Sequence, residues 1–189
     1  LRNFSKPEIS LTAKGHLDLA ELNEFLKSDT LAAMSGQVDF DVSYRGQIQS
    51  TRGFSGSDFV NSTSSGSLRL QDAAFEFRNN KLRFSGLNGN FKFSSNDLIS
   101  EDFRGKIDNN DFFIKGYFRN LLPYILVENQ NLQVKADFIS QHIDMEELLK
   151  YDVSENDTVM RLDLSPRLDL DFNVSVRRFN FGKFRAADI

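Results

Sequence analysis

Residues 66–93 read GSLRLQDAAFEFRNNKLRFSGLNGNFKF, and this stretch decides the fold class. Leucine and phenylalanine alternate with polar residues on both sides of Asn79-Asn80, which is the pattern of two half-buried strands. Asparagine tolerates a positive φ, so the Asn-Asn pair predicts a tight hairpin turn between the strands. The stretch therefore predicts antiparallel β-structure with one apolar face.

The same alternation recurs along most of the chain. Val38, Phe40, Val42 and Tyr44 would share one face of a strand, with aspartate, serine and glutamine on the other face. Short spacing between strands favours antiparallel neighbours. We therefore expect a mainly β fold: a curved, groove-like antiparallel sheet of about ten strands, folded over on itself, with two short capped helices. The strands are predicted over residues 7–15, 35–49, 66–118 in several short runs, 131–140 and 160–179.

The pattern His-apolar-Asp-apolar-x-Glu-Leu occurs twice, at residues 16–22 and 142–148. Asp18 and Asp144 fit the N-cap of a helix, because a short carboxylate accepts hydrogen bonds from the free N–H groups of the first turn. Each copy therefore predicts a strand that turns sharply at the aspartate and continues as a short helix. We interpret the two copies as a structural repeat.

The remaining polar residues of the repeat could cap the helices or bind a metal ion. Glu21 and Glu147 stand three residues after the aspartates, where a capping box places its glutamate. His16 and His142, the two histidines of the chain, could instead join the acidic residues as metal ligands. The caps already account for the acids, and no third ligand lies close in sequence, so we predict neither a metal site nor a cofactor.

Composition excludes several classes of protein. The chain of 189 residues has no cysteine, which rules out disulfides and thiolate metal sites. Its net charge of −4 comes from mixed acidic and basic residues, without the basic block expected of a nucleic-acid-binding protein. No run approaches the ~18 consecutive apolar residues of a transmembrane helix. There is no nucleophile elbow and no phosphate-binding glycine loop, so we predict that the chain is not an enzyme.

The chain is expected to form one module. Residues 1–189 begin at Leu1 and stop in mid-pattern at Ile189, which we interpret as a fragment of a longer protein. Residues 50–66 are rich in serine, glycine, threonine and asparagine, and they are expected to form a flexible loop.

The apolar face has two interpretations. Aromatic stripes are usually core, so the face could be sealed inside a closed β-sandwich. Alternatively, part of it could line an open trough that holds a lipid tail, at a gain of ~0.8 kcal/mol for each buried methylene. The residues predicted to face such a lipid are Phe75, Phe77, Leu82, Phe84, Phe91, Phe93, Phe112, Ile114, Phe118, Leu170 and Phe172.

Several motifs, taken in order, resemble the C-terminal region of the AsmA-like family of bacterial envelope proteins. The strand-to-helix turns Leu17-Asp18-Leu19 and Ile143-Asp144-Met145, each with a leucine three residues further on, are similar to turns of that family. The runs 66–75 and 82–93 also resemble it. So do two later parts of the chain, DFFIKGYFRN at residues 111–120 and the closing strands from Leu168 to Ala186 with FGKFRA at residues 181–186.

The resemblance implies a function in the cell envelope. Proteins of the AsmA-like family have a long periplasmic β-groove that one N-terminal helix anchors in the inner membrane, and they have no catalytic motif. The resemblance therefore implies a periplasmic location, phospholipid or another membrane lipid as the partner, and a role in lipid transport between membranes or in outer-membrane biogenesis. A scaffold that recruits envelope proteins by strand addition to an exposed sheet edge is the alternative.

Overall fold

A computed structural model describes residues 8–26, 31–47, 62–77, 83–126, 129–150 and 166–189. The mainly β fold predicted from the sequence is confirmed: a large open sheet, a small second sheet and short helices account for most of these residues. The strands are β1 (Glu8–Asp18), β2 (Leu31–Gln47), β3 (Thr63–Phe77), β4 (Arg83–Ser94), β5 (Asp97–Ile107), β6 (Asn110–Arg119), β7 (Leu132–Ser140), β8 (Ile143–Asp144), β9 (Leu168–Val176), β10 (Arg178–Phe181) and β11 (Phe184–Ala187). The helices are α1 (Leu19–Leu26), α2 (Leu121–Leu126) and α3 (Met145–Leu149).

The large sheet has eight strands in the order β1-β2-β3-β4-β5-β6-β7-β9, and the small sheet has the order β11-β10-β8. In the described part of the chain, β1 and β9 each have one neighbour in the large sheet, so that sheet is not closed into a barrel. The first six pairs in the order are antiparallel, as predicted.

The prediction of an entirely antiparallel sheet is wrong at two pairs. Strand β9 runs parallel to β7, and β10 runs parallel to β8. A parallel neighbour requires a connection that carries the chain back to the starting end of the strand. The segment between Ser140 and Leu168, which contains α3, has the length to make that return.

Three neighbouring strands each contain one extra residue. The ladder shifts register between Leu70 and Ala73 in β3, between Ser85 and Asn88 in β4, and between Ser100 and Phe103 in β5. Such β-bulges bend a strand and change which side chains point to which face. Positive φ angles at Asp72 (47°) and Gly86 (58°) mark the first two bulges.

Glycine is required opposite the first bulge. Gly36 of β2 has φ of 98°, and a Cβ atom there would lie 2.5 Å from the Cα of Ala73. Both the backbone conformation and the space therefore exclude a larger residue. Ala73, which Gly36 allows to approach, is fully buried.

Polar side chains replace ladder hydrogen bonds that the bulges interrupt. The Asp72 N–H donates to Asn88 Oδ1 at 3.1 Å, and Asn88 Nδ2 donates to the Gly86 carbonyl at 3.0 Å. At the β5 bulge, Asp102 accepts from the Asn90 N–H at 2.7 Å and from Asn90 Nδ2 at 2.6 Å. These backbone groups therefore keep hydrogen-bond partners at the bulges, as backbone groups in a stable fold require.

Both predicted aspartate caps are present. Asp18 Oδ1 accepts from the Ala20 N–H at 2.8 Å, and Asp144 Oδ1 accepts from Glu146 and Glu147 N–H at 3.0 and 3.2 Å. The two copies of the repeat differ in the strand that comes after the helix. Strand β2 returns antiparallel to β1 after α1, whereas β9 is parallel to β7 after α3. The repeat thus holds for the strand-to-helix turn but not for the strands beyond it.

The predicted flexible loop is described only in part, and the predicted hairpin turn is not described. Residues 63–66, predicted as the end of a flexible loop, belong to β3, where they pair with β2 and β4. Residues 50–61 of that loop and the Asn79-Asn80 turn are outside the described residues. The turn between β5 and β6 lies at Asp108-Asn109, and Asn110 begins β6.

The buried centre of the large sheet should dominate stability. Leu87 has 1% of its surface exposed, whereas Leu11 on edge strand β1 has 56% exposed. We expect Leu87→Ala to lower the unfolding free energy by about 2–5 kcal/mol, because it removes buried methyl groups and leaves a cavity. Leu11→Ala, the same chemical change, should cost under about 1 kcal/mol. Urea denaturation of both variants measures the difference, and equal losses would contradict the assigned core.

Candidate functional site

One face of the large sheet is apolar from edge to edge. Paired residues on neighbouring strands point to the same face, so the register identifies rows that cross the sheet. One row is formed by Ala13, Val42, Gly66, Phe93, Leu98, Phe118, Val134 and Leu170. The row two residues along is formed by Gly15, Phe40, Leu68, Phe91, Ser100, Gly116, Ala136 and Phe172. We call this surface the apolar face.

The opposite face is mostly polar. The row between the two above consists of Lys14, Asp41, Ser67, Lys92, Ile99, Tyr117, Lys135 and Asp171. Its charged groups pair at the surface, with 3.5 Å between Lys14 Nζ and Asp41 Oδ2 and 3.4 Å between Lys135 Nζ and Asp171 Oδ2. We call this surface the polar face; its contrast with the apolar face shows that the sheet is strongly amphipathic.

Nine of the eleven predicted lipid-facing residues lie on the apolar face. They are Phe75, Phe84, Phe91, Phe93, Phe112, Ile114, Phe118, Leu170 and Phe172. Phe77 ends β3, but its side chain is outside the described part, and Leu82 is outside it altogether. Shared orientation does not establish a lipid contact, so the lipid-facing role stays a prediction.

The middle of the apolar face is packed core. Phe112 is 6% exposed and lies in a cluster with Leu19, Ala73 and Leu87. The ring of Phe103 is 5.2 Å from the rings of both Phe91 and Phe112, at angles favourable for aromatic contacts. Phe112 therefore stabilises the sheet, and a ligand could not reach it in this conformation.

The two edges of the apolar face are open. On β1, Ile9 and Leu17 are 37% and 40% exposed. On β9, Leu170, Phe172 and Val174 are 38%, 39% and 52% exposed. Large apolar side chains that remain exposed together on one surface are a feature of binding sites.

A wholly apolar pocket of about 630 Å³ lies at the β9 edge. Ile114, Phe138, Phe172, Val174 and Val176 of the large sheet form one side of it. The other side is formed by Ile143, Met145, Phe179 and Ile189. This volume is typical of small-molecule sites, and the lack of polar lining favours a hydrocarbon ligand.

Backbone hydrogen bonds hold the far wall of this apolar pocket. The N–H of Val176 donates to the Ile189 carbonyl at 2.9 Å, and the Ile189 N–H donates to the Val176 carbonyl at 3.0 Å. Arg177 N–H donates to the Ser140 carbonyl at 3.0 Å. The end of the chain is thereby joined to β9, beside the small sheet.

Asp111 fixes the turn that leads into the pocket wall. Its carboxylate accepts from the N–H groups of Gln141 and His142, both at 2.9 Å, and from Ser140 Oγ at 3.3 Å. Next to it, Asn110 Oδ1 accepts from the Asp144 N–H. These bonds set the position of Ile143 and Met145, which contact the apolar pocket.

The capping-box role predicted for Glu147 is wrong. Its carboxylate accepts from Asn109 Nδ2 at 2.6 Å and from Asn110 Nδ2 at 2.9 Å, while the Asp144 N–H that it would have capped donates to Asn110. Glu147 therefore anchors α3 to the β5–β6 turn. In the described ranges, the Glu21 side chain has no hydrogen-bond partner, so it does not complete a capping box either.

The histidines of the repeat occupy different environments. His16 lies on the polar face, where its Nδ1 is 2.8 Å from Asp39 Oδ1. His142 lies in the turn before β8, and its buried Nδ1 has no hydrogen-bond partner among the residues that the structure describes. Within the described residues, no three His, Asp or Glu side chains are grouped as metal ligands would be.

Several residues of the pocket were not among the predicted lipid-facing set. Val174 and Val176 continue the alternation of Leu170 and Phe172, a signal that could have found them. Phe179 and Ile189 reach the pocket through the small sheet and the chain end, which periodicity within one strand does not reveal.

Comparisons with family models, with curated proteins and with solved structures found no match for this chain. Among the described residues, no helix has both the length and the apolar character needed to cross a membrane.

The contact between His16 and Asp39 predicts a specific pH effect. The hydrogen bond from the His16 imidazole is the main reason that the pKa of Asp39 lies below its usual value of 3.8. A carboxyl whose pKa is lowered by folding adds stability above its unfolded-state pKa, and that stability is lost as the pH falls through the folded-state pKa. We expect His16→Ala to raise the Asp39 pKa and to lower stability slightly, above about pH 4 only.

NMR titration of the Asp39 carboxyl carbon measures this effect. His142→Ala is the control, since His142 does not contact Asp39, and it should leave the Asp39 pKa unchanged. If the Asp39 pKa is the same in the wild type and in His16→Ala, the assigned interaction is wrong.

Proposed function

We propose that this chain is a non-enzymatic periplasmic segment of an AsmA-like protein, anchored to the inner membrane in the full-length protein. Its apolar face binds phospholipid and carries it between the inner and outer membranes. The observation that supports this most strongly is the wholly apolar pocket of about 630 Å³ on the β9 side of that face.

The chemistry of the pocket suits an acyl chain. Its nine lining residues are all apolar, so a ligand with hydrogen-bonding groups would lose its water without gaining partners there. A tail that buried about ten methylenes would gain on the order of 8 kcal/mol before the costs of ordering the complex. That gain is the main favourable term for binding a tail in this pocket.

The openness of the edge suits transport. Phe172 and Val174 line the pocket and are also 39% and 52% exposed, so a tail could enter from the side of the sheet without unfolding it. Leu170 precedes them on the same face. The exposed row gives a tail a continuous apolar surface outside the pocket, while a polar headgroup could remain in water.

The test introduces a charge on one face or on the other. Val174→Glu places a carboxylate at the mouth of the apolar pocket, where it must lose its water when a tail binds. We expect this variant to lose most of the phospholipid that copurifies with the wild-type chain, measured by native mass spectrometry after expression in a bacterial envelope.

Ile139→Glu is the matched control. Ile139 is 42% exposed on β7, where it pairs with Ser175, and it lies on the polar face. The control should retain phospholipid, and circular dichroism should show both variants folded. If both variants lose lipid equally, or if the wild-type chain copurifies with none, the proposed function is wrong.

A specific feature of β1 favours the alternative, an envelope scaffold. Its pairing with β2 runs without a register shift from Glu8–Gln47 to Asp18–Gln37, and the large sheet has no described strand on its other side. It has neither proline nor a bulge, which are common protections of exposed edges. A regular open edge can bind a partner protein by adding a strand.

Crosslinking separates the two functions. A photoreactive residue in place of Thr12, on the open edge, should capture a protein if the edge is a docking site, whereas the same residue at Ser67, in the interior of the sheet, should not. A scaffold requires a discrete protein adduct at position 12 in cells. Lipid adducts at Phe172, without a protein adduct at position 12, would exclude the scaffold and favour transport.

A further inference from the structure

The small sheet contains a hairpin that lies beside the apolar pocket. It consists of β10 and β11, which pair antiparallel over their whole length, and we call residues 178–187 the basic hairpin. Gly182 and Lys183 form its turn, and Gly182 has φ of 60°. A glycine with positive φ at the first position is typical of a tight two-residue turn. The turn therefore holds Phe181 and Phe184 side by side at the tip of the hairpin.

One face of the basic hairpin is aromatic. Side chains of paired residues point the same way, so Phe179, Phe181 and Phe184 share a face. The rings of Phe179 and Phe184 lie 6.2 Å apart, centre to centre, at an angle favourable for aromatic contact. Phe179 lines the apolar pocket, whereas Phe181 and Phe184 do not line it and are 44% and 59% exposed. The apolar surface of the pocket therefore continues along this face to an exposed tip.

The same segment is rich in positive charge. Four basic residues occur within nine positions, Arg177, Arg178, Lys183 and Arg185, although the whole chain has a net charge of −4. All four side chains are exposed. In the part of the chain that the structure describes, none of the four forms an ion pair. Their charges are therefore available to an external partner.

Two carboxylates near the basic hairpin leave this positive balance in place. Asp188 follows β11 directly. Glu146 of α3 approaches the turn, with its Oε1 3.6 Å from the position that a Cβ atom on Gly182 would occupy. Four positive groups face two negative ones, so the hairpin attracts anions.

The positions of the charges relative to the rings match the layers of a bilayer. Arg185 is adjacent to Phe184, and Arg178 stands three residues before Phe181, roughly 10 Å from the tip; both point to the face opposite the rings. The headgroup layer is roughly 5–8 Å thick on each side of the hydrocarbon. With the rings at the inner boundary of that layer, Lys183 and Arg185 lie within it. Arg178 then lies at its outer surface, within the ~10 Å over which charges attract at moderate salt.

We propose that the tip of the basic hairpin docks on the surface of an anionic phospholipid membrane. Phe181 and Phe184 enter the apolar side of the headgroup layer, while the basic side chains bind lipid phosphates. Because Phe179 connects the tip to the apolar pocket, docking brings the pocket next to the membrane. The inference goes beyond the proposed function, since docking does not require that the pocket hold a lipid.

The exposed rings favour a membrane over other anionic partners. Nucleic acid or an acidic protein would also attract the basic side chains. The face that carries Phe181 and Phe184 is continuous with a pocket whose lining is wholly apolar, so contact with hydrocarbon stabilises this surface most.

Flotation of the full chain with lipid vesicles tests the proposal. One set of vesicles is pure phosphatidylcholine, and the other contains one-third phosphatidylglycerol. We expect about tenfold tighter binding to the anionic set, because several basic side chains approach its surface. High salt should remove most of that difference.

Two variants of the basic hairpin separate its charge from its rings. Lys183→Gln removes one positive charge at the turn and should weaken binding to anionic vesicles about fivefold. Phe184→Ser removes a ring from the tip and should weaken binding about tenfold. Circular dichroism and thermal unfolding show whether each variant keeps the fold.

Matched controls make the same changes elsewhere on the surface. Arg104→Gln removes a positive charge from an exposed position of β5, and Ile99→Ser removes an apolar side chain that is 44% exposed on the polar face. Both controls should bind anionic vesicles as tightly as the wild-type chain. Equal losses in the controls and in the hairpin variants would overturn the docking site.

The remaining outcomes also decide the proposal. Equal binding of the wild-type chain to both sets of vesicles, or binding to neither, would overturn it. A loss in Lys183→Gln with normal binding of Phe184→Ser would overturn docking through the rings and favour a purely electrostatic partner. Phe184→Ser should still copurify with phospholipid, because Phe184 does not line the apolar pocket. A wild-type chain that docks as expected but copurifies with no lipid would support docking and overturn the proposed function.

Discussion

One extra residue in each of β3, β4 and β5 keeps the large apolar side chains on a single face. Side chains alternate along a strand, so residues an odd number of positions apart normally face opposite ways. Leu70 and Phe75 in β3 are five positions apart, and Phe84 and Phe91 in β4 are seven apart. The register nevertheless places all four on the apolar face, because a bulge separates each pair. Without the bulges, part of the core would point into water.

The surroundings of the apolar face divide it into a stabilising centre and open edges. Leu19 of α1 packs with Ala73, Leu87 and Phe112, so the middle is removed from solvent. Towards β9, cover is supplied by α3, the small sheet and the end of the chain, and these leave an apolar pocket instead of a filled core. Asp111 and Glu147 connect that cover to β6 and the β5–β6 turn through charged hydrogen bonds. Polar contacts on one side of the turn thus set the shape of an apolar cavity on the other.

Much of the architecture could be predicted from short patterns. Alternation within a strand predicted Val38, Phe40, Val42 and Tyr44 on one face, and their partners in β1 confirm it. The caps at Asp18 and Asp144 could be predicted from side-chain chemistry within one helical turn. These features depend on neighbours in sequence, and local patterns describe them well.

The remaining features depend on contacts between distant residues. Whether β9 runs parallel or antiparallel to β7 is decided by the connection between them, not by the alternation of Leu168 to Val176. Glu147 has the spacing of a capping-box residue, but two asparagines 37 and 38 positions earlier bind it instead. The apolar pocket likewise brings Ile114 next to Ile189, and these two residues are too far apart in the sequence for a local pattern to link them.

The most direct measurement uses the absence of tryptophan from the chain. Phe172→Trp places a single fluorophore on the open edge of the apolar face, and Ile139→Trp places one on the polar face. Each variant is mixed with phospholipid that carries brominated acyl chains, which quench tryptophan fluorescence on contact. An apolar face that binds lipid predicts strong quenching at position 172 and little at position 139. Equal quenching at both positions, or none at position 172, would contradict it.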